Sequence, residues 1–193
     1  MNNTEFFYPR SRAEWRQWLE LNHREVDSVW LIFFKKNSGV ASLSYVEAVE
    51  EALCFGWIDS KLQRIDNLSH KQFFCKRKKD SFWSKINKER VEKLIKKGLM
   101  RDAGYEIIEK SKSNGYWNLF DDAENLILPD ELIVNLKANP IAELFFKKLP
   151  DSTKKSLLQW IATAKLPATK SKRINEIIEN ANNQQLPKKY YML

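Results

Sequence analysis

CFGWIDSKLQRIDNLSHKQFFCKRKKDSFWSKIN, residues 54–87, decides the fold class. It opens as the apolar end of a helix and runs through two short strand-like stretches. It closes in a basic cluster that leads into Trp83-Ser84-Lys85-Ile86-Asn87. Apolar, aromatic and charged side chains alternate at period two. On a regular strand that spacing puts Trp57, Asp59, Lys61 and Gln63 on one face, with Ile58, Ser60, Leu62 and Arg64 on the other. Two strands, near 57–65 and 70–77, form a predicted hairpin around Asp66-Asn67. A charge pair beside an indole on one strand face is either a solvated sheet surface or the wall of a polar binding site.

Upstream, Ser11-Arg12-Ala13-Glu14 and Ser44-Tyr45-Val46-Glu47 read as capping boxes, each opening a helix. The first helix carries Trp15, Trp18 and Leu19 on one apolar face, and the second carries Tyr45, Ala48, Val49, Ala52 and Leu53. Gly56 is placed to end the second. Between them, Ser28–Lys36 is rich in aromatic and β-branched residues and apolar on both faces, which predicts a central strand. Downstream of the hairpin, a helix from Ser84 ends at Gly98, and another spans about 101–113.

After Leu128-Pro129 the apolar spacing is purely helical. Helices are predicted at 130–138, 140–148, 151–164 and 168–182, with Pro140, Pro150 and Pro167 at the breaks, because the residue before proline disfavours the helical region. The class is therefore α+β: a small antiparallel sheet packed with helices, then an all-helical C-terminal part. The predicted division is an N-terminal domain over 1–128, a helical domain over 129–185 and a loosely docked tail over 186–193.

The net charge of +8 is concentrated: residues 71–97 hold eleven Lys/Arg against three Asp/Glu, so the rest of the chain sums to zero. Such polarity steers anionic partners. The two cysteines, Cys54 and Cys75, suit a reducing compartment, and with His23 and His70 they show no metal-ligand spacing. The N-terminus lacks the apolar run of a signal peptide. The longest apolar run, Val29–Phe34, is far short of the roughly 20 residues that span a bilayer as a helix. The expectation is a cytoplasmic protein with no membrane insertion, no metal and no cofactor, since no phosphate-cradling or dinucleotide glycine motif is present.

The candidate ligand site gathers Trp57, Asp59, Lys61, Arg64, Arg77, Trp83, Lys85 and Asn87. Three element ends meet there, and their mixture of guanidinium, carboxylate and indole suits a small anionic or zwitterionic ligand. Trp57 and Arg64 have opposite parity on a regular strand, so a bulge is needed to converge both. The plain alternative is a core indole beside an exposed charge pair and a Ser84 helix cap. A second reading is weak nucleic-acid binding through Lys76, Arg77, Lys78 and Lys79 with Phe73, Phe74, Phe82 and Trp83, but no recognition motif accompanies it and nucleic acid is not the expected partner. A third is an enzyme of unassigned class using Asp59. No Ser-His-Asp or Cys-His arrangement supports catalysis, so no catalytic residue is assigned.

The stretch from Leu128 to Ile178, with Asn139-Pro140, Phe145-Phe146, Trp160-Ile161, Ala164-Lys165, Pro167, Thr169 and Arg173-Ile174, resembles the bacteriocin-protection, YdeI/OmpD-associated family. The upstream part resembles the region that commonly precedes that domain, through the strand at 29–36, Glu47–Leu53, Gly56-Trp57-Ile58-Asp59, Trp83-Ser84-Lys85 and Asn87. The resemblance implies a stress-associated binding protein linked to tolerance of bacteriocins or cationic antimicrobial peptides, with an envelope-related protein partner. It brings no catalytic residues with it.

Overall fold

The computed structural model describes residues 5–188 and divides into two compact units, one ending at Trp117 and the other beginning at Asn118. The first holds β1 (Glu5–Phe7), α1 (Arg12–Asn22), β2 (Ser28–Phe34), a 3-10 turn (Lys36–Ser38), α2 (Tyr45–Cys54), β3 (Trp57–Arg64), β4 (Ser69–Lys76), α3 (Lys85–Lys96) and α4 (Asp102–Ser113). The second holds α5 (Asp121–Glu124), α6 (Asp130–Ala138), α7 (Pro140–Lys148), α8 (Asp151–Ala162) and α9 (Pro167–Asn182). The class is α+β, as the sequence predicts.

The sheet runs β1-β2-β4-β3, with β2 between β1 and β4. β3 and β4 form the predicted antiparallel hairpin, and β2 pairs antiparallel with β4. β1 is a parallel edge strand that the sequence reading does not contain, so the sheet is mixed. Three residues carry too little periodicity to be read as a strand.

Serine hydroxyls start three of the helices. Ser11, Ser44 and Ser84 accept from the backbone N–H of Glu14, Glu47 and Asn87. Only at Ser44 does the glutamate also bond the cap's own N–H and complete the box; Glu14 instead takes the N–H of Arg10 at 2.8 Å. Val29, Leu31 and Phe33 alternate buried along β2 and meet Trp15, Leu19, Val49, Leu53 and Phe74 in the first core. Each such burial contributes roughly 1.5–3 kcal/mol. Trp15 stacks on Trp18 at 5.2 Å, and its indole N–H donates to the Ala48 carbonyl at 3.0 Å, so the largest side chain is also hydrogen-bonded.

In the second unit, no strand occurs between residues 130 and 182. Pro140 and Pro167 each open a helix at its first position, where the missing N–H costs nothing. Leu132, Leu136, Phe146, Leu157, Ile161, Ile174 and Ile177 form its core. Leu186 packs against that core, while the tail from 189 onward lies outside the described residues.

Candidate functional site

Gly56 leaves α2 with φ 73° and delivers the chain straight into β3. The backbone N–H of Arg77 donates to the Gly56 carbonyl at 2.9 Å, which ties the exit of β4 to the entry of β3. On β3, the Asp59 carboxylate accepts from the Tyr45 hydroxyl at 2.9 Å and from Gln72 Nε2 at 3.1 Å. Beyond β4, the Arg77 guanidinium carbon lies 3.7 Å from the centre of the Trp83 ring, and one Nη donates to the Phe82 carbonyl. Trp83 in turn packs on Trp117 at 4.7 Å.

Arg77 is 7% exposed and Trp83 2%. Burial pushes the Arg77 pKa down to about 10, partly offset by the negative field of Asp59 and Cys75. The guanidinium stays charged at neutral pH, held by a π-face and a carbonyl, and no carboxylate lies within ion-pair distance among the described residues. Arg77 Nε and Trp83 Nε1 are both buried without a hydrogen-bond partner. Orphaned buried donors are rare and costly.

Asn87 is half-buried at the start of α3, where its Oδ1 accepts from Arg90 Nη1 at 2.9 Å. Arg90 is an electrostatic neighbour of Tyr45. Burial and the bond to Asp59 raise the Tyr45 pKa to about 12. Asp59 is thus bonded to Tyr45 and Gln72, and Asn87 is bonded to Arg90, which faces Tyr45; Arg77 meets this group only through the field of Asp59, and the sequence reading left out Tyr45, Gln72 and Arg90. The buried Gln72 carried a signal: it is a polar residue at the core parity of β4.

Trp57 belongs to the core. It is fully buried, edge-on to Trp18 at 5.8 Å, with its N–H 3.4 Å from the His23 carbonyl. The register of β3 slips between Asp59 and Leu62, so the strand is bulged where a regular alternation was expected. Leu62 and Arg64 therefore join the face of Trp57 and Asp59, while Lys61 and Gln63 leave it. Arg64 is nevertheless spent on the hairpin, where it donates to the Asp66 carbonyl at 2.9 Å and to Asn67 Oδ1. Lys61 and Lys85 are exposed.

A cleft of about 390 Å³ opens where Arg77 leaves the sheet, lined by Arg24, Gly56, Trp57, Lys76, Arg77 and Lys110 among others. Among the described residues Glu106 is the one carboxylate on its wall, 3.9 Å from Lys110. A neighbouring cleft of about 410 Å³ shares Arg24 and Phe55 and adds Arg101 and Asp102.

The basic run 76–79 does not form one open face. Lys76 Nζ is held by Asp27 at 2.9 Å and the Arg24 carbonyl at 2.8 Å, and Arg77 is buried. Lys78 and Lys79 are exposed. Of the interleaved rings, Phe74 and Trp83 are in the core and Phe73 meets Trp30 edge-on at 5.0 Å, which leaves Phe82 exposed. In the second unit, Arg173 donates to the Trp160 carbonyl and to Thr163 Oγ1 at 2.9 Å, a cation at the C-terminal end of α8 where its charge is favoured.

Among the described residues no helix is long and apolar enough to cross a membrane, and no group of three His, Cys, Asp or Glu could hold a metal ion.

Residues 7–107 match the family described as Domain of unknown function (DUF8412). Residues 125–184 match the family described as Bacteriocin-protection, YdeI or OmpD-Associated. Comparison with curated proteins and with solved structures found no significant match.

Proposed function

The chain belongs to the DUF8412 family and carries a YdeI or OmpD-associated domain behind it, and from that premise we propose that it is a binding protein of the bacteriocin-protection type. It works in the cytoplasm without catalysing a reaction. Its N-terminal unit holds a small anionic or zwitterionic ligand in the cleft beside Arg77.

One observation carries this reading: among the described residues Arg77 is a buried cation with an unpartnered Nε and no carboxylate at ion-pair distance. Burying a charge without a counter-charge is expensive. An anion arriving in the cleft supplies that counter-charge, and the guanidinium fork suits carboxylate or phosphate geometry. Arg24 on the same wall adds to the positive sign, while Lys76 and Lys110 are already paired with Asp27 at 2.9 Å and Glu106 at 3.9 Å. The enzyme reading needs a second acid or base beside Asp59, whose hydrogen-bond neighbours are a phenol and a carboxamide.

The test is a titration with acetate, inorganic phosphate and glutamate, read at the Trp83 indole N–H by nitrogen–proton NMR. A saturable shift that vanishes in Arg77→Met supports the site. Asp59→Asn separates the ligand classes: an anion binds more tightly once the competing carboxylate is neutral, while a zwitterion loses the partner of its ammonium. A Trp83 signal that none of the three probes moves overturns the reading.

A further inference from the structure

The second unit holds a different kind of cleft. About 300 Å³ lies open between the 126–128 loop, α6, α7 and the first turn of α8. Leu126, Leu128, Ile133, Leu136 and Phe146 line it, and three lysines, Lys137, Lys147 and Lys154, stand on its walls. Nothing in the N-terminal site uses these residues.

The lysines are not equivalent. Lys147 is paired with Glu143 at 2.7 Å. Lys154 keeps 19% of its side chain exposed, and Asp151, itself 71% exposed, is a loose 3.7 Å away. Lys137 has no ion-pair partner among the described residues. Among the described residues the wall therefore carries three ammonium groups against one lining carboxylate, Glu143, which is already engaged, with Asp151 beside Lys154 outside the lining. Leu126 reaches the cleft from a backbone with φ 56°, a left-handed conformation that a branched side chain rarely adopts. The cap that ends α5 sets it there: the Leu126 N–H donates to the Ala123 carbonyl at 3.2 Å and the Ile127 N–H to the Asp122 carbonyl at 2.8 Å.

We propose that this cleft binds a medium-length aliphatic carboxylate, its chain against Leu126, Ile133, Leu136 and Phe146 and its head between Lys137 and Lys154. The volume is at the lower end of small-ligand cavities, roughly 300–1,000 Å³, which are mostly apolar with a few polar groups that fix orientation. The ammonium groups of Lys137 and Lys154 choose an anionic head over a cationic one.

The test is calorimetric titration of the whole chain with hexanoate, octanoate and decanoate below their micelle concentrations, with decylamine as the opposite-charge control. Affinity is expected to rise about fourfold for each added methylene until the cleft is full. Decylamine is expected to bind at least tenfold more weakly than decanoate. Ile133→Trp fills the cleft from a half-buried position and removes binding. Lys137→Gln with Lys154→Gln keeps the fold and erases the preference for the carboxylate. All of these titrations are made in the Arg77→Met background, so that a carboxylate seated in the proposed N-terminal site does not contribute. In that background, decanoate binding that survives Ile133→Trp or is matched by decylamine overturns the proposal, as does the absence of saturable binding.

Discussion

The guanidinium carbon of Arg77 lies 3.7 Å from the centre of the Trp83 ring, and both groups keep a buried N–H without a partner. A desolvated cation–π contact is worth about 2 kcal/mol. The downward push on the Arg77 pKa, to about 10, says that burial outweighs what the surroundings return. Arg77→Met keeps a flexible apolar chain on the indole and removes the charge. Its stability in urea is expected within about 1 kcal/mol of the native protein, or above it, because exchanging a buried charge for an apolar side chain is often neutral or stabilising. The Trp83 response to anions is lost in the same variant. A loss of about 3 kcal/mol or more, the cost of breaking a true buried pair, would make Arg77 a structural strut.

Tyr45 donates to Asp59 at 2.9 Å, and burial with that bond raises its pKa to about 12 from the usual 10. The folded protein therefore keeps this proton at pH values where the unfolded chain has released it. The stabilisation from Tyr45 is complete below pH 10 and is lost as pH rises toward 12. Arg77 acts in the opposite sense: its lowered pKa makes the folded state release a proton first, so its burial penalty eases above about pH 10. Removing Tyr45 isolates the two. Denaturation measured from pH 9.5 to 11.5 is expected to show the native protein losing stability relative to Tyr45→Phe, with the gap between them closing. A constant difference across that range would mean that the phenol is not held by Asp59.

The element list was legible because period and punctuation agree locally. Asn139-Pro140, Leu149-Pro150 and Leu166-Pro167 each sit at a helix boundary, and Gly56 leaves its helix in the left-handed region. β1 was not legible, since its pairing with β2 is long-range and its three residues look like any polar-aromatic segment. The bulge in β3 was anticipated as a requirement but not placed, and it reverses which face receives Lys61. In the site, Asp59, Arg77 and Trp83 stand out in the sequence because charge and indole are unusual neighbours. Tyr45 does not, because it falls on the apolar stripe of its helix and only the fold brings its hydroxyl to Asp59. Arg64 and Lys85 looked equally suitable by type, and nothing local says that the hairpin and solvent take them instead.

Glu51 is a carboxylate buried to 2% exposure that accepts from Arg12 Nε at 2.5 Å and Arg16 Nη1 at 2.6 Å. Arg16 continues to the Leu99 carbonyl at 2.9 Å, so this one residue links α1, α2 and the loop before α4. Glu51→Gln keeps the shape and removes the charge that both guanidinium groups face. Breaking a buried pair costs about 3–5 kcal/mol, and the partial exposure of both arginines lowers the expected loss to about 2–3 kcal/mol. Thermal unfolding of the N-terminal unit should move down accordingly. Glu50, which shares Arg12 at 2.9 Å and is 25% exposed, gives the comparison: Glu50→Gln is expected to cost less than about 1 kcal/mol.

Gly104 lies where α4 passes the end of α2, and a Cβ there would stand 2.4 Å from the Cys54 carbonyl oxygen. Helix propensity alone favours alanine at such a position by about 1 kcal/mol. The contact opposes it, because the obstructing atom is backbone, and that carbonyl already accepts the Arg101 N–H at 3.0 Å. Gly104→Ala is therefore expected to destabilise by roughly 1–3 kcal/mol, as overpacking does, against the direction that propensity predicts. The effect reaches the cleft as well. Gly56 and Ala103 both line it, and the Gly56 carbonyl holds the Arg77 N–H, so parting α2 from α4 displaces the anchor of the anion site. Gly98→Ala is the control, since a Cβ there meets nothing within 4 Å and φ is 65°. It should cost about 1–2 kcal/mol from the left-handed backbone alone and leave the Trp83 response to anions intact. If Gly104→Ala matches the native protein in urea stability and in that response, the two helices do not depend on this close approach.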